Sequence, residues 1–141
     1  MKRSGSAVWR GGLKDGNGVV STASGVLKDS AYSFGTRFEE KPGTNPEELI
    51  AAAHAACFSM ALSAILGEGG ITPESVATSA AVTLEKVDGG FAVTASHLKV
   101  KAKVPGVDEK RFMDAAGAAK AGCPISKLLN AKITMEAELE K

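Results

Sequence analysis

The sequence predicts an α+β fold, and three features carry that reading. Short β-prone runs divided by glycines fill the first part of the chain, and a long uncharged stretch follows them. Near the end Ile133, Met135, Ala137 and Leu139 alternate with Thr134, Glu136 and Glu138, the period of a half-buried strand. A length of 141 residues suits one domain, so residues 1–141 are read as a single fold. With 44% hydrophobic and 23% charged residues the composition is that of a globular protein. The 17 basic and 16 acidic residues nearly cancel, which leaves no net field to draw nucleic acid or an anionic membrane. Aromatic residues at 5% are too few for a row of base-stacking platforms.

Met1-Lys2-Arg3-Ser4-Gly5-Ser6 carries two basic residues, but Gly11, Gly12, Lys14 and Asp15 interrupt what would be the apolar part of a signal peptide. An intracellular, cytoplasmic protein is expected. From Ala7 to Phe34 the glycines mark an antiparallel meander, with Asp15-Gly16 and Asn17-Gly18 expected to supply the positive φ of a tight hairpin. A third strand is expected over Ala31–Phe38, where Tyr32, Phe34 and Phe38 alternate with Ser33 and Arg37 before Lys41-Pro42-Gly43.

Asn45-Pro46-Glu47-Glu48 opens a helix: Asn can cap, Pro fits the first turn, and Glu48 sits where a capping-box carboxylate reaches back. Leu49 to Leu66 contains no charge and 15 apolar residues among 18, up to Gly67 and Gly69-Gly70. The helix is therefore expected to be buried nearly all round. Seven of those residues are Ala, diluted further by His54, Ser59 and Ser63, which favours a core helix over a membrane span. At about 30 Å it is as long as a small domain is wide. A second copy of the chain is expected to cover part of it, making an obligate dimer.

Val76–Val87 and Phe91–Val104 read as a two-stranded ribbon about Asp88-Gly89-Gly90. In the second strand Leu98, Val100, Ala102 and Val104 alternate with Lys99, Lys101 and Lys103, one face buried and one solvated, with His97 on the solvated face. Asp108 caps a helix whose Phe112, Ala115, Ala116 and Ala119 recur at helical spacing as far as Gly122. Cys123-Pro124 opens a short further helix to about Leu129, and the alternating strand ends the fold.

Two cysteines, 66 positions apart, carry the chemistry that the residues allow. Cys57, flanked by Ala55-Ala56 and Phe58, reads either as a small core hydrophobe or as a thiol whose ionisation needs help. Cys123 at a helix N-terminus is placed where backbone N–H groups stabilise a thiolate, which makes it the more acidic of the two by expectation, although a plain cap is the other reading. His54 stands three residues before Cys57, either as a thiolate partner or as a hydrogen-bonded core residue. A zinc site would need both cysteines and both histidines to converge, and no metal is expected. The glycine-rich Gly11–Gly18 segment lacks the strand-to-helix setting of a dinucleotide site, so no cofactor is expected either.

The stretch Thr36-Arg37-Phe38-Glu39 with Gly43-Thr44-Asn45-Pro46-Glu47-Glu48-Leu49-Ile50-Ala51-Ala52-Ala53-His54-Ala55-Ala56-Cys57-Phe58-Ser59-Met60-Ala61-Leu62 resembles the signature of the OsmC family of osmotically inducible peroxidases. Ala121-Gly122-Cys123-Pro124-Ile125-Ser126 resembles that family's second motif, and the likeness extends over essentially the whole chain. The placement of Arg37 and the His54-Ala55-Ala56-Cys57 form are closer to the OsmC branch than to the sister branch of organic hydroperoxide resistance proteins.

The resemblance implies an intertwined homodimer in which antiparallel sheets wrap two long central helices, with active sites at the interface. It implies a thiol-dependent peroxidase acting on organic hydroperoxides: Cys57 attacks the O–O bond, Cys123 resolves the sulfenic acid into a disulfide, and an external thiol or dithiol restores both. The family's arginine and glutamate carry over onto Arg37 and Glu47. A guanidinium can help a buried thiol to ionise and bond the peroxide oxygens, and a carboxylate can fix its fork. Phe34, Phe38, Phe58 and Met60 are the candidates for an apolar substrate mouth. The residues also admit two other readings. A hot-dog thioesterase shares the dimeric layout with Glu47 as its base, yet has no task for two cysteines, and a stress or small-ligand-binding protein would use the cysteines only for packing.

Overall fold

Strand β1 (Gly5–Arg10) pairs antiparallel with β2 (Asn17–Thr22), and β2 with the short β3 (Ser30–Tyr32), giving the expected meander. Its hairpin differs from expectation. Gly11, at φ 91°, takes the left-handed conformation, whereas Asn17 and Gly18 already belong to β2, opposite Arg10 and Trp9. Gly18 serves close approach instead: a Cβ there would stand 2.5 Å from the Tyr32 ring. Trp9 and Tyr32 pack with ring centroids 5.4 Å apart.

The expected third strand stops at Tyr32, and Phe34–Phe38 is a helical turn, α1. Ser33 and Thr36 decide this. The Thr36 N–H donates to Ser33 Oγ at 3.2 Å and the Ser33 N–H to Thr36 Oγ1 at 2.8 Å, a reciprocal cap that no extended strand can make. Phe34 and Phe38 then stand four residues apart on one helix face, with ring centroids at 4.8 Å.

Helix α2 (Pro46–Glu68) begins as predicted, the Glu48 N–H donating to Asn45 Oδ1 at 2.7 Å. The Glu48 carboxylate accepts from Thr44 Oγ1. The helix passes through Gly67 and closes with the Ile71 N–H on the Leu66 carbonyl and Gly70 at φ 76°. It is long and apolar enough to cross a membrane by length and composition alone. The expectation of burial nearly all round does not hold within one chain. Only His54, Phe58, Leu62 and Leu66 are buried, a single stripe at i, i+4 spacing.

All 141 residues, Met1–Lys141, are described by this computed structural model, which divides into two compact units, Met1–Leu49 and Ile50–Lys141. In the second unit β4 (Ser75–Val87) and β5 (Gly90–Lys103) form the long antiparallel ribbon, with an irregularity at Thr83/Leu84. The strand β6 (Lys132–Glu140) lies on the other side of β5 and runs parallel to it, so this sheet is mixed rather than wholly antiparallel. A parallel neighbour requires a long crossover, and the helices α3 (Glu109–Gly122) and α4 (Pro124–Leu128) supply it. The core joins Phe58, Leu62 and Leu66 of α2 to Leu98, Val100 and Ala102 of β5 and to Phe112, Ala116 and Ala119 of α3. Each fully buried large side chain contributes about 1.5–3 kcal/mol.

Candidate active site

Three turns into α2, Cys57 is half-buried, whereas Cys123 is wholly buried at the junction of α3 and α4. Cys123 serves both helices. Its N–H closes α3 on the Ala119 carbonyl at 2.9 Å, and its Sγ caps α4 by accepting from the Ser126 N–H at 3.4 Å. Both cysteines are free thiols, and the fold brings the Cys57 and Cys123 side chains close enough for each to act on the other electrostatically. Burial pushes the Cys57 thiol up from its ordinary value; the Ile125 backbone N–H, donated to the sulfur, pulls the other way, and the neighbouring Cys123 raises it further. None of these groups is a cation.

His54, one turn before Cys57, is fully buried and both of its ring nitrogens are occupied. Nδ1 lies 2.7 Å from Ser96 Oγ and Nε2 lies 2.7 Å from Ser126 Oγ. Burial lowers the pKa of this histidine, so the neutral imidazole is favoured. The core-residue reading of His54 therefore holds, and its partners are serines rather than the Cys57 sulfur. Ser126 Oγ in turn lies 3.2 Å from Cys123 Sγ.

The first unit contains the arginine and the glutamate. Arg37, at the end of α1, donates from Nη2 to Glu47 Oε1 at 2.7 Å and from Nε to both carboxylate oxygens at 3.1 and 3.2 Å. The pairing of a planar fork with a carboxylate orients the guanidinium. Its Cζ also lies 5.3 Å from the centre of the Phe38 ring. Beside it, Trp9, Leu13, Tyr32, Phe34, Phe38 and Pro46 line a largely apolar cleft of about 300 Å³, with Arg37 on its wall.

Two mouth candidates lie elsewhere. Phe58 is 0% exposed in the core of the second unit, and Met60 is 75% exposed on α2. His97, expected to be merely exposed, is half-buried, with Nδ1 against Thr134 Oγ1 and Nε2 3.3 Å from Glu136. Three contributors to the thiol site escaped the sequence reading: Ser96, Ser126 and the Ile125 amide. Ser96 had a legible signal, as the hydroxyl next to Leu98 in the inward row of Leu98, Val100 and Ala102, and Ser126 had another, three residues beyond the capping Cys123. No three His, Cys, Asp or Glu side chains are grouped so as to hold a metal ion.

A family model described as OsmC-like protein matches residues 38–138. Peroxiredoxin OsmC of Escherichia coli (strain K12) is 56% identical to this chain over 140 residues, which cover 99% of this chain and 98% of that protein. Organic hydroperoxide resistance protein OhrB of Bacillus subtilis (strain 168) is 31% identical over 124 residues, covering 87% of this chain and 89% of that one. Among solved structures, that of OhrB of Bacillus subtilis superposes with a TM-score of 0.69 at 28% identity, covering 97% of this chain and 98% of the other.

Proposed function

This chain belongs to the OsmC-like protein family and is a cysteine-based, thiol-dependent peroxidase, and on that premise we propose that Cys57 attacks the O–O bond of an organic hydroperoxide. The alkoxide leaves as the alcohol, Cys57 becomes a sulfenic acid, and Cys123 displaces its hydroxyl as water to give a Cys57–Cys123 disulfide. The observation that carries this reading is the convergence of two free thiols, 66 residues apart in sequence, close enough for Cys123 to perturb Cys57. A resolving thiol in that position intercepts the sulfenic acid before a second peroxide reaches it.

Arg37 is assigned to favour the Cys57 thiolate and to bond the peroxide oxygens, and Glu47 to hold the guanidinium fork. The apolar cleft beside Arg37 supports alkyl hydroperoxides as the preferred substrates, Phe34 and Phe38 taking the hydrocarbon. Phe58 and Met60 are left without that role. Glu47 and Cys57 are ten positions apart on one helix, about 15 Å of rise, which favours an arrangement in which the Arg37–Glu47 pair serving a given Cys57 belongs to the partner subunit. We therefore assign the enzyme to a cytoplasmic homodimer, treat the chain as one OsmC-like domain, and leave regeneration to an external thiol or dithiol. The uncovered faces of α2 support the dimer.

The test is a thiol titration before and after one equivalent of cumene hydroperoxide per subunit, with mass spectrometry of the product. Loss of both thiols and a mass lower by two hydrogens are expected. Two unreacted thiols would overturn the proposal and leave both cysteines as packing residues.

A further inference from the structure

Cys123 is wholly buried, so its proton cannot pass directly to bulk water when it attacks the Cys57 sulfenic acid. The fold offers another acceptor. From Cys123 Sγ the path runs 3.2 Å to Ser126 Oγ, 2.7 Å on to His54 Nε2, and from His54 Nδ1 2.7 Å to Ser96 Oγ. Four side chains from α2, β5, α4 and the α3–α4 junction thus form one continuous buried chain, and no buried side-chain nitrogen or oxygen in it lacks a partner.

We propose that this chain is a proton relay for the resolving step, with Ser126 passing the Cys123 proton to His54. The inference rests on the peroxidase reading above. Ser126 touches the reacting sulfur, whereas His54 acts through it and is a positioning residue. In the resting tautomer Ser96 and Ser126 are bridged by a neutral imidazole whose Nε2 lone pair accepts the Ser126 O–H. As the Cys123 S–H proton moves to Ser126 Oγ, the Ser126 proton moves to Nε2, leaving a thiolate and an imidazolium held by Ser96. The thiolate electron pair forms the S–S bond, the S–O bond breaks, and hydroxide departs with its electrons. The proton lent to His54 returns through Ser126 and makes that hydroxide water, so atoms and charge balance with no further reactant.

Burial leaves the His54 lone pair free at rest while disfavouring its imidazolium, and the Cys123 thiolate formed in the same step supplies the opposite charge that offsets that cost. The titratable groups facing the chain are Cys57 and Cys123 themselves; the remaining partners, Ser96 and Ser126, are neutral. Two different tasks then fall to residues three apart on one helix: Cys57 meets the peroxide, and His54 prepares the thiol that follows.

The test follows resolution separately from peroxide attack in full-length protein. After one equivalent of cumene hydroperoxide, the Cys57 sulfenic acid is trapped with dimedone at timed intervals and disulfide is quantified by mass spectrometry, across a pH series. His54→Gln keeps an amide near Nε2 that can bond Ser126 yet takes up no proton, and Ser126→Ala cuts the chain while leaving the imidazole in place. A positioned base contributes about 10²–10⁴-fold, so disulfide formation is expected to slow at least about tenfold near neutral pH in both variants. The deficit should shrink as pH rises, because hydroxide can then take the proton that His54 would otherwise receive. Parental rates in both variants, or slowing that is the same at every pH, would overturn the relay and leave His54 a packing residue. Absence of both sulfenic acid and disulfide in the parent protein would instead bring down the peroxidase reading, and the relay with it.

Discussion

Arg37 grips Glu47 through two nitrogens, with Nη2 2.7 Å and Nε 3.1 Å from the same carboxylate oxygen. A lysine offers one point charge in place of that planar fork. Arg37→Lys is therefore expected to lower kcat/KM for cumene hydroperoxide by about 10²-fold or more, the usual result of removing a donor aimed at developing charge. The thermal midpoint should barely move, because the Arg37 side chain is 37% exposed and such a pair is worth at most ~1 kcal/mol. Steady-state kinetics with calorimetry checks both. Unchanged kinetics would remove Arg37 from the site.

Cys57 and Cys123 should fail in different ways. Cys57→Ser is expected to abolish peroxide consumption in a folded protein. Cys123→Ser should consume peroxide and then stop, with Cys57 gaining two oxygens as the sulfinic acid because nothing intercepts the first product. Intact-mass spectrometry after excess peroxide distinguishes the two.

The dimer assignment makes a prediction about mixed subunits. Heterodimers of a Cys57→Ser chain and a Glu47→Ala chain should retain about half the parental activity if each site draws on both subunits, since one of the two sites then keeps both residues. Sites built within single chains would leave none. Separation by affinity tags followed by an activity assay decides.

Burial depresses the His54 pKa below its ordinary 6.5. A depressed pKa contributes stability that is present above the unfolded value and lost as pH falls through the folded one, because the unfolded chain takes up a proton that the native chain resists. Stability is thus expected to fall on acidification from about pH 7.5 to below about 6.5, and His54→Gln should flatten the slope in that window. Urea midpoints at several pH values check the sign. A slope unaltered by the substitution would assign the acid sensitivity to other groups.

Much of this architecture was legible where local chemistry and global fold agree. The Asn45-Pro46 start of α2, the Asp108 cap of α3 and the period-two rows of β5 and β6 are fixed by nearest neighbours. The errors arose where an aromatic spacing fits two periods. Tyr32, Phe34 and Phe38 satisfy a strand and also a helical turn, and only the reciprocal Ser33–Thr36 cap selects the latter. The all-round burial expected of α2 failed for another reason, since composition states what a helix avoids and not which molecule covers it. The thiol site was half visible. Cys57 and Cys123 could be named from their motifs, but the serines that bracket His54 become its partners only through pairings 42 and 72 residues apart.

The parallel strand β6 has a consequence for the order of assembly. Hairpin β4–β5 closes on a turn at Asp88–Gly90, whereas β6 meets β5 only after α3 and α4 have been laid down between them, Ala95 opposite Lys132. Loop-closure entropy makes such distant pairing the late event in folding. The segment that must dock for β6 to align is the one bearing Cys123 and Ser126. A chain arrested before that event would hold Cys57 without its resolving thiol, so the yield of intramolecular disulfide during refolding measures completion of the native topology.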